Sequence, residues 1–207
     1  MASDRVLYNP TQLYLNDHVI NNYLELINKR NSNVYIYNTH LYANLSPERY
    51  SLYYRWTKKL DLFSKTKILV PINLTTLKHW VLVCMNLELK QMQYYDSLQG
   101  NGISYQKQVF DFLSFVHLHS RGTPLNSKEW SFINVTNIPI QKNSYDCGVF
   151  LCTYAEYLAR DAVFNFSQEH MVSFRQLIAY ELTTKKLVDI NVEAHDIDAF
   201  ITSIVNA

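Results

Sequence analysis

The segment NSYDCGVFLCTYAEYLA, which begins at Asn143, places a thiol where a polar turn gives way to an apolar run of helical spacing. The thiol belongs to Cys147, and the start of a helix would offer it unpaired N–H groups and the positive end of the helix dipole, which stabilise a thiolate. Gly148 follows and has no Cβ, so a substrate backbone could approach the sulfur closely. Taken alone, Cys147 is more often a small buried apolar residue, so the nucleophile hypothesis needs partners.

The chain holds candidates for the base that a thiol nucleophile needs and for the group that orients this base. His79 begins the most apolar strand-like run and Asp96 ends the next one, so an antiparallel hairpin turning near Lys90 would bring both to one end. Gln141, six residues before Cys147, could donate to the oxygen that becomes negative during acyl transfer. Each residue also has an ordinary interpretation, as a strand-edge polar residue, a turn residue and a loop residue respectively.

The remaining thiols and the paired histidines fit structural roles. Cys84 lies within an apolar strand and Cys152 within the apolar helix, where small buried side chains are expected. Three cysteines without metal-like spacing favour free thiols in a reducing compartment. His117 and His119 form an H-x-H pair that points to different faces of a helix, so we expect no metal site and no cofactor.

The elements that must position these residues can be predicted from hydrophobic periodicity. We expect strands at about 66–74, 79–89, 91–98 and 130–141. We expect helices at about 17–29, capped by Asn16 or Asp17, and at 46–63, 104–120, 148–160, 167–188 and 196–207. The run 79–89 is apolar at both alternating positions, which is typical of a central strand buried on both faces. Strands in the middle with flanking helices predict an α+β fold.

Composition excludes several classes of protein. The chain has 207 residues, 48% of them hydrophobic, and only 4 glycines, which suits one compact domain with a sizeable core. A net charge of +1 gives no reason to expect nucleic acid or an anionic membrane as partner. The basic run RWTKK is interpreted as the solvated face of a helix with Trp56 in the core.

Taken together, the motifs resemble a known family. LYLNDHVINNYLELI, RWTKKLDLF, LVPINLTTLKHWVLV, YYDSLQG, IPIQKNSYDCGVFLCTYAEYLA and FNFSQEHMVSFRQLI occur in this order. The chain resembles, over about 14–188, the catalytic domain of the SUMO-specific cysteine proteases, the Ulp/SENP group. The resemblance implies a papain-like cysteine protease fold with a central mixed sheet flanked by helices. It also implies a triad in the chain order His79, Asp96, Cys147, with Gln141 as the oxyanion-hole glutamine.

The resemblance further implies a substrate. The family cleaves after the C-terminal Gly-Gly of a ubiquitin-like modifier, and such a tail can thread a slot too narrow for side chains. Two tryptophans wall this slot in the family; Trp80 matches one, and Tyr14 stands in the place of the other. Asp17 and Arg55 match positions that contact the modifier, the ordinary alternatives being a helix cap and an exposed helix charge. Gly148 completes the expected substrate-binding set.

Three functional hypotheses result. The first is a SUMO isopeptidase and precursor-maturing protease; the second is the same chemistry on another ubiquitin-like modifier, as in a deneddylase or deubiquitinase. The third is an inactive modifier-binding domain, against which the intact Cys, His, Asp and Gln argue. We expect a monomer, with the modifier and its conjugates as partners and neither nucleic acid nor membrane. Residues 1–207 should form a single catalytic domain with 189–207 as a C-terminal extension, and the resemblance suggests the nucleus or nuclear envelope, with the cytoplasm as the alternative.

Overall fold

The computed structural model describes residues 14–207, which form a five-stranded mixed sheet with helices on both faces. The strands are β1 (Val34–Ile36), β2 (Lys67–Leu74), β3 (His79–Asn86), β4 (Gln91–Tyr95) and β5 (Ser131–Asn134). The helices are α1 (Asp17–Arg30), α2 (His40–Ala43), α3 (Tyr50–Thr57), α4 (Ile103–Arg121), α5 (Cys147–Ala159), α6 (Met171–Thr184) and α7 (Ile197–Val205). The predicted α+β class with a central mixed sheet is confirmed.

The sheet is ordered β1-β2-β3-β4-β5, with β3 at its centre. Strands β2, β3 and β4 pair antiparallel, whereas β1 and β5 join the two sides in parallel. All eight residues of β3 are buried, as its two-sided apolar pattern predicts. The β3–β4 hairpin turns at Lys90, whose φ of 50° is left-handed, and Leu82 pairs with Tyr95. This register brings Asp96, just beyond β4, towards the start of β3.

Two apolar cores lie on opposite faces of the sheet, because successive side chains of a strand point to opposite sides. One core collects the apolar faces of α1, α5, α6 and α7, and the other those of α2, α3 and α4. Helix α5 lies in the first core and is buried on almost every side, which explains why its sequence is apolar all round. Cys147 therefore lies at the N-terminus of a helix that is packed on almost every side.

Several element boundaries follow the sequence closely. Asn16 caps α1 by accepting a hydrogen bond from the Val19 N–H at 2.9 Å, and α5 begins one residue earlier than predicted, at Cys147. Ser167 caps a short 3-10 turn that leads into α6. None of the helices within residues 14–207 is both long and apolar enough to cross a membrane.

The predicted helix at 46–63 is wrong in its extent and in its buried face. A 3-10 turn, Pro47–Arg49, precedes α3, and the Ser46 side chain makes no capping hydrogen bond. Trp56, predicted to lie in the core, is 41% exposed. Tyr53 and Thr57, one helical turn apart, take the buried positions instead, and the Trp56 ring packs edge-on against Tyr53 at 4.8 Å.

Two short elements, β1 and α2, had no counterpart in the prediction, and β5 ends at Asn134, well before the predicted 141. A three-residue strand and a four-residue helix are too short to show a period in sequence. The segment after β5 instead forms an irregular path that returns Gln141 to the end of β4. This path is part of the site described next.

Candidate active site

His79 and Asp96 meet at one end of the sheet, as the hairpin predicted. The His79 Nε2 atom lies 2.6 Å from the Asp96 Oδ1 atom, and both side chains are buried. Asp96 also accepts hydrogen bonds from the backbone N–H groups of Leu98 and Gly100, at 2.8 and 2.9 Å. A Cβ on Gly100 would lie 2.7 Å from the Asp96 carboxylate, so this turn requires glycine. Because Asp96 holds Nε2, the Nδ1 atom of His79 is left for the thiol.

The electrostatics of this pair favour a charged imidazole. Burial lowers the pKa of His79, but hydrogen bonds to Asp96 and to Cys147, together with the charges of both, outweigh it and raise this pKa to about 9. For Asp96, burial raises the pKa, and the bonds to His79, Leu98 and Gly100 reverse this effect and lower it below its ordinary value. His79 is therefore an imidazolium at neutral pH, held between a carboxylate and a thiol.

Cys147 is the first residue of α5 and is only 1% exposed. The first helical hydrogen bond runs from the Phe150 N–H to the Asp146 carbonyl at 2.9 Å. The N–H groups of Cys147, Gly148 and Val149 lie before this bond, where a helix has donors without helical partners. The sulfur therefore lies beside both an imidazolium and the donor end of a helix, and both favour negative charge.

Gln141 is tied to the strand end that carries Asp96. Its backbone N–H donates to the Ser97 carbonyl at 2.9 Å, and its Oε1 accepts from the Ser97 hydroxyl at 2.9 Å. Its Nε2 donates to the Asn143 carbonyl, and since an amide nitrogen carries two hydrogens, one remains for an oxyanion. The glutamine is 7% exposed, so its amide is held by the protein and not by solvent.

The predicted slot residues meet through the backbone of Leu15. The Trp80 indole N–H donates to the Leu15 carbonyl at 3.1 Å, and the Trp80 ring is 8% exposed. Tyr14, the residue before Leu15, is 48% exposed. The structure thus brings the Tyr14–Leu15 segment against the residue that follows His79, with the tyrosine open to solvent.

The surroundings of Gly148 show what its missing Cβ leaves room for. A Cβ at this position would lie 2.8 Å from the Leu15 Cβ atom and 3.5 Å from the Ile20 Cδ1 atom. The missing side chain therefore makes room for the segment before α1, whose Leu15 belongs to the buried core. Gly148 thus allows the close approach of Leu15, whose carbonyl accepts the hydrogen bond of the Trp80 indole.

Asp17 and Arg55, the predicted modifier contacts, lie on the surface helices α1 and α3, and both are exposed. The Asp17 carboxylate has an imidazole near it, the Nε2 of His40 at 3.9 Å. Neither residue belongs to the buried cluster around Cys147, so any role for them concerns binding away from the reacting atoms.

Sequence reasoning missed a buried polar network directly before Cys147. The Asp146 carboxylate accepts hydrogen bonds from Arg175 of α6, from Asn143 and from Gln168. Asp146 is 3% exposed and Arg175 6%. The one signal in sequence is an aspartate next to a cysteine at a predicted helix start. Its partner, Arg175, lies 29 residues further along the chain, and no sequence pattern connects the two.

Comparison with known proteins gives matches over most of the chain. Residues 13–187 match the family described as the Ulp1 protease family, C-terminal catalytic domain. The chain is 33% identical over 181 residues to a sentrin-specific protease of Caenorhabditis elegans and 34% identical over 182 residues to the human sentrin-specific protease 2. Each alignment covers 84% of this chain but only 26% and 31% of those proteins, so the chain spans about a quarter to a third of their length.

A solved structure of the C-terminal Ulp1 protease domain, in complex with the yeast orthologue of SUMO, superposes with a TM-score of 0.72 at 27% identity. It covers 84% of this chain and 79% of that one. Because the family match extends over most of the sequence, the chain belongs to the Ulp1 protease family.

Proposed function

We propose that this chain is a thiol protease that cleaves after the C-terminal Gly-Gly of SUMO, maturing precursors and removing SUMO from substrate lysines. We assign Cys147 as nucleophile, His79 as acid and base, Asp96 as the group that orients His79, and Gln141 as an oxyanion donor. The observation that carries the proposal is the buried His79 ring, which interacts with the Asp96 carboxylate and with the Cys147 thiol. A thiol nucleophile needs this arrangement of base and orienting group.

In the proposed reaction, the Cys147 thiolate attacks the carbonyl carbon of the terminal glycine, and the carbonyl oxygen becomes negative. The Gln141 amide and the Cys147 N–H donate to this oxyanion. The His79 imidazolium gives its proton to the leaving amine nitrogen, the C–N bond breaks, and a thioester to Cys147 remains. Neutral His79 then takes a proton from water, whose oxygen attacks the thioester and releases the modifier with a free carboxyl group.

The choice of SUMO is supported by the relatives. They include sentrin-specific proteases, and the Ulp1 domain was solved in complex with the yeast orthologue of SUMO. Trp80 and Tyr14 would line the slot for the Gly-Gly tail, and the exposed Asp17 and Arg55 would contact the body of the modifier. Because both charged residues are solvated, we expect each to affect binding by less than a triad residue affects turnover.

The same chemistry on another ubiquitin-like modifier is the second candidate, and Tyr14 is the observation that favours keeping it. A tyrosine is smaller than the tryptophan that the resemblance leads one to expect, and it carries a hydroxyl. An inactive modifier-binding domain is the third candidate. It conflicts with the polar contacts that hold His79, Asp96 and Gln141 in place.

One experiment separates the three candidates. The protein is offered electrophilic C-terminal probes made from SUMO, from ubiquitin and from the modifier of deneddylases, and the labelled residue is identified by mass spectrometry. We expect the SUMO probe to label Cys147. Labelling by another modifier alone would favour the second candidate, and binding without labelling would favour the third.

Location and domain division belong to the same proposal. We place the protein in a reducing compartment and in the nucleus or nuclear envelope, on the basis of the resemblance. The division into one catalytic domain over 1–207 is supported by α7, because Ile197 and Ile201 are fully buried in the core that surrounds α5. Free cysteines at positions 84, 147 and 152 agree with a reducing environment.

A further inference from the structure

Asp146 occupies the N-cap position of α5 but does not act as a cap. Aspartate is among the preferred N-cap residues because its side chain accepts hydrogen bonds from the first N–H groups of a helix. Here the Asp146 side chain makes no such bond, and its backbone (φ −86°, ψ 0°) is helical where a cap is ordinarily extended. The carboxylate is therefore directed elsewhere.

It is directed to Arg175 and two amides. The Arg175 Nε donates to Asp146 Oδ1 at 2.9 Å, and Arg175 Nη2 donates to the same oxygen at 2.5 Å. Asp146 Oδ2 accepts from Asn143 Nδ2 at 2.5 Å and from Gln168 Nε2 at 2.7 Å. With both charged side chains buried, Arg175 balances the Asp146 charge in an environment that water does not screen.

The alternative position of this carboxylate would conflict with the chemistry. A capping Asp146 would accept from the N–H groups of Gly148 or Val149, which otherwise stabilise negative charge at the start of α5. It would also bring a second negative charge beside the Cys147 sulfur, and like charges disfavour ionisation. Holding the carboxylate on Arg175 removes both conflicts.

The same network reaches the oxyanion glutamine. Asn143, whose Nδ2 binds Asp146, also accepts from the N–H groups of Tyr145 and Asp146 through its Oδ1, at 3.2 and 3.0 Å. Its carbonyl accepts from Gln141 Nε2. The loop between Gln141 and Cys147 is thus organised around the carboxylate that Arg175 holds.

We propose that Arg175 is a positioning residue, which holds the Asp146 carboxylate away from the start of α5 and balances its charge, so that the donor end of the helix serves the Cys147 thiolate. This inference rests on the proposed role of Cys147 as nucleophile. Its test must therefore measure the thiol itself, separately from modifier cleavage.

The test is the rate at which Cys147 is alkylated by iodoacetamide as a function of pH. In this reaction the thiolate sulfur displaces iodide and forms an S–C bond, so the rate follows the thiolate fraction. Three variants are compared with the wild type: Arg175→Gln, Asp146→Asn and the double variant. Arg160→Gln is the matched control, because Arg160 also pairs with a buried carboxylate but lies at the opposite end of α5, about 20 Å from Cys147.

The two single variants should shift the pH midpoint of alkylation in opposite directions. Arg175→Gln leaves the Asp146 charge unbalanced and should raise the midpoint by about one pH unit, whereas Asp146→Asn leaves a net positive charge and should lower it by about as much. The double variant should return near the wild type, and Arg160→Gln should leave the midpoint unchanged. Shifts of the two singles in the same direction, or no shift, would overturn the proposal, since loosened structure has no reason to change sign with the charge removed.

Failure of folding does not remove the test. If Arg175→Gln does not fold, Asp146→Asn decides alone, and a midpoint that rises or stays constant in it refutes the inference. Opposite shifts in a protein that cleaves no modifier substrate would instead refute the proposed function and leave this inference standing. The two failures are therefore distinguishable.

Discussion

Two buried carboxylates beside helix α5 are held in opposite charge states: Asp96 near its N-terminal end and Glu181 of α6 beside its C-terminal half. At the N-terminal end, the carboxylates of Asp146 and Asp96 each have several hydrogen-bond donors, including a cationic partner. Towards the C-terminal end, Glu156 pairs with Arg30 at 2.7 Å and with Arg160 at 2.9 Å. The neighbouring Glu181 of α6 forms no ion pair within residues 14–207, although the Arg30 charge acts on it from a distance. Within residues 14–207, Glu181 Oε2 has no hydrogen bond of normal geometry.

The pKa directions express this difference. At the N-terminal end, the pKa of Asp96 falls because His79 and two N–H groups outweigh the burial that raises it. At the other end, burial raises the pKa of Glu181 to about 8, and the Val188 N–H bond lowers it only in part. Asp96 therefore keeps its charge by pairing it, whereas Glu181 avoids charge by keeping a proton. In the proposed reaction Asp96 must be charged to orient His79, whereas Glu181 has no role in that reaction and can remain neutral in the core.

The largest expected difference is between alanine substitutions of the two cysteines of α5, Cys147 and Cys152. Cys147→Ala removes the nucleophile and should abolish turnover of a SUMO-derived substrate, a loss of at least about 10³-fold. Cys152→Ala removes a fully buried thiol whose pKa is raised by burial. It should keep kcat within a few-fold of wild type and lower the thermal midpoint, because it leaves a small cavity. Substantial turnover in Cys147→Ala would contradict the assignment of the nucleophile.

Next in size is the effect of removing Gln141, the proposed oxyanion donor. Gln141→Ala should lower kcat by about 10²–10³ while KM changes little, because the amide donates to charge that exists only in the transition state. Gln108→Ala, on the exposed face of α4 across the sheet, is the matched control and should leave kcat unchanged. Equal effects of the two substitutions on kcat would argue that Gln141 acts only as a loop anchor through Ser97.

The pH profile of kcat should depend on His79 and Asp96, near the N-terminal end of α5, and not on Glu181. With the His79 pKa at about 9, its imidazolium, the proposed proton donor to the leaving amine, is lost as pH rises through that value. Activity should therefore fall above about pH 9. Asp96→Asn removes the carboxylate that raises this pKa and leaves burial to lower it. The alkaline limb should then move down by about one to two pH units.

Glu181→Gln, by contrast, should leave the alkaline limb of the pH profile unchanged, because Glu181 lies on α6 beside the C-terminal half of α5, away from His79. An unchanged limb in Asp96→Asn would show that some other group sets it. A limb that moves in Glu181→Gln would show that the two ends are coupled.

The sequence could predict those residues of the candidate site that lie at the ends of elements with clear hydrophobic periodicity or directly after a recognisable turn. His79 and Asp96 follow from a hairpin whose strands alternate clearly, and Cys147 from a polar turn before an apolar helix. Arg175 could not be predicted, because a buried arginine in an amphipathic helix gives no sign of its partner 29 residues away. The contact between Gly148 and Leu15 could not be predicted for a related reason, since a missing Cβ is visible in sequence but the residue that fills the space is not.

Fold prediction was limited in the same way. The long, strongly periodic elements β2, β3, α1, α4 and α5 follow from their patterns, whereas β1 and α2 are too short to have one. Trp56 shows the cost of judging burial by residue type: tertiary packing gave the core positions of α3 to Tyr53 and Thr57. Residue type predicts which side chains can be buried, and helix phase decides which of them are.

Glu181 should also make the stability of the folded chain depend on pH. The folded-state pKa of Glu181, about 8, lies above its ordinary value of 4.5. Between these values the unfolded chain has released a proton that the folded chain keeps, so stability should fall as pH rises, by up to about 1.4 kcal/mol per pH unit. Below about 4.5 both states hold the proton and the penalty is absent; above about 8 it is complete.

Glu181→Gln removes this titration while its Oε1 can still accept from the Val188 N–H. Urea unfolding at several pH values should show a shallower decline for the variant and a stability gain over wild type that is largest near pH 8. Measurements at the acidic end serve as the internal control, because there the wild-type carboxyl is neutral too and the gain should vanish. A gain independent of pH would mean that the amide simply packs better. A gain in stability that grows with pH, with the alkaline limb of the activity profile unchanged, would show that the carboxyls of Glu181 and Asp96 act independently. The first would then affect stability and the second activity.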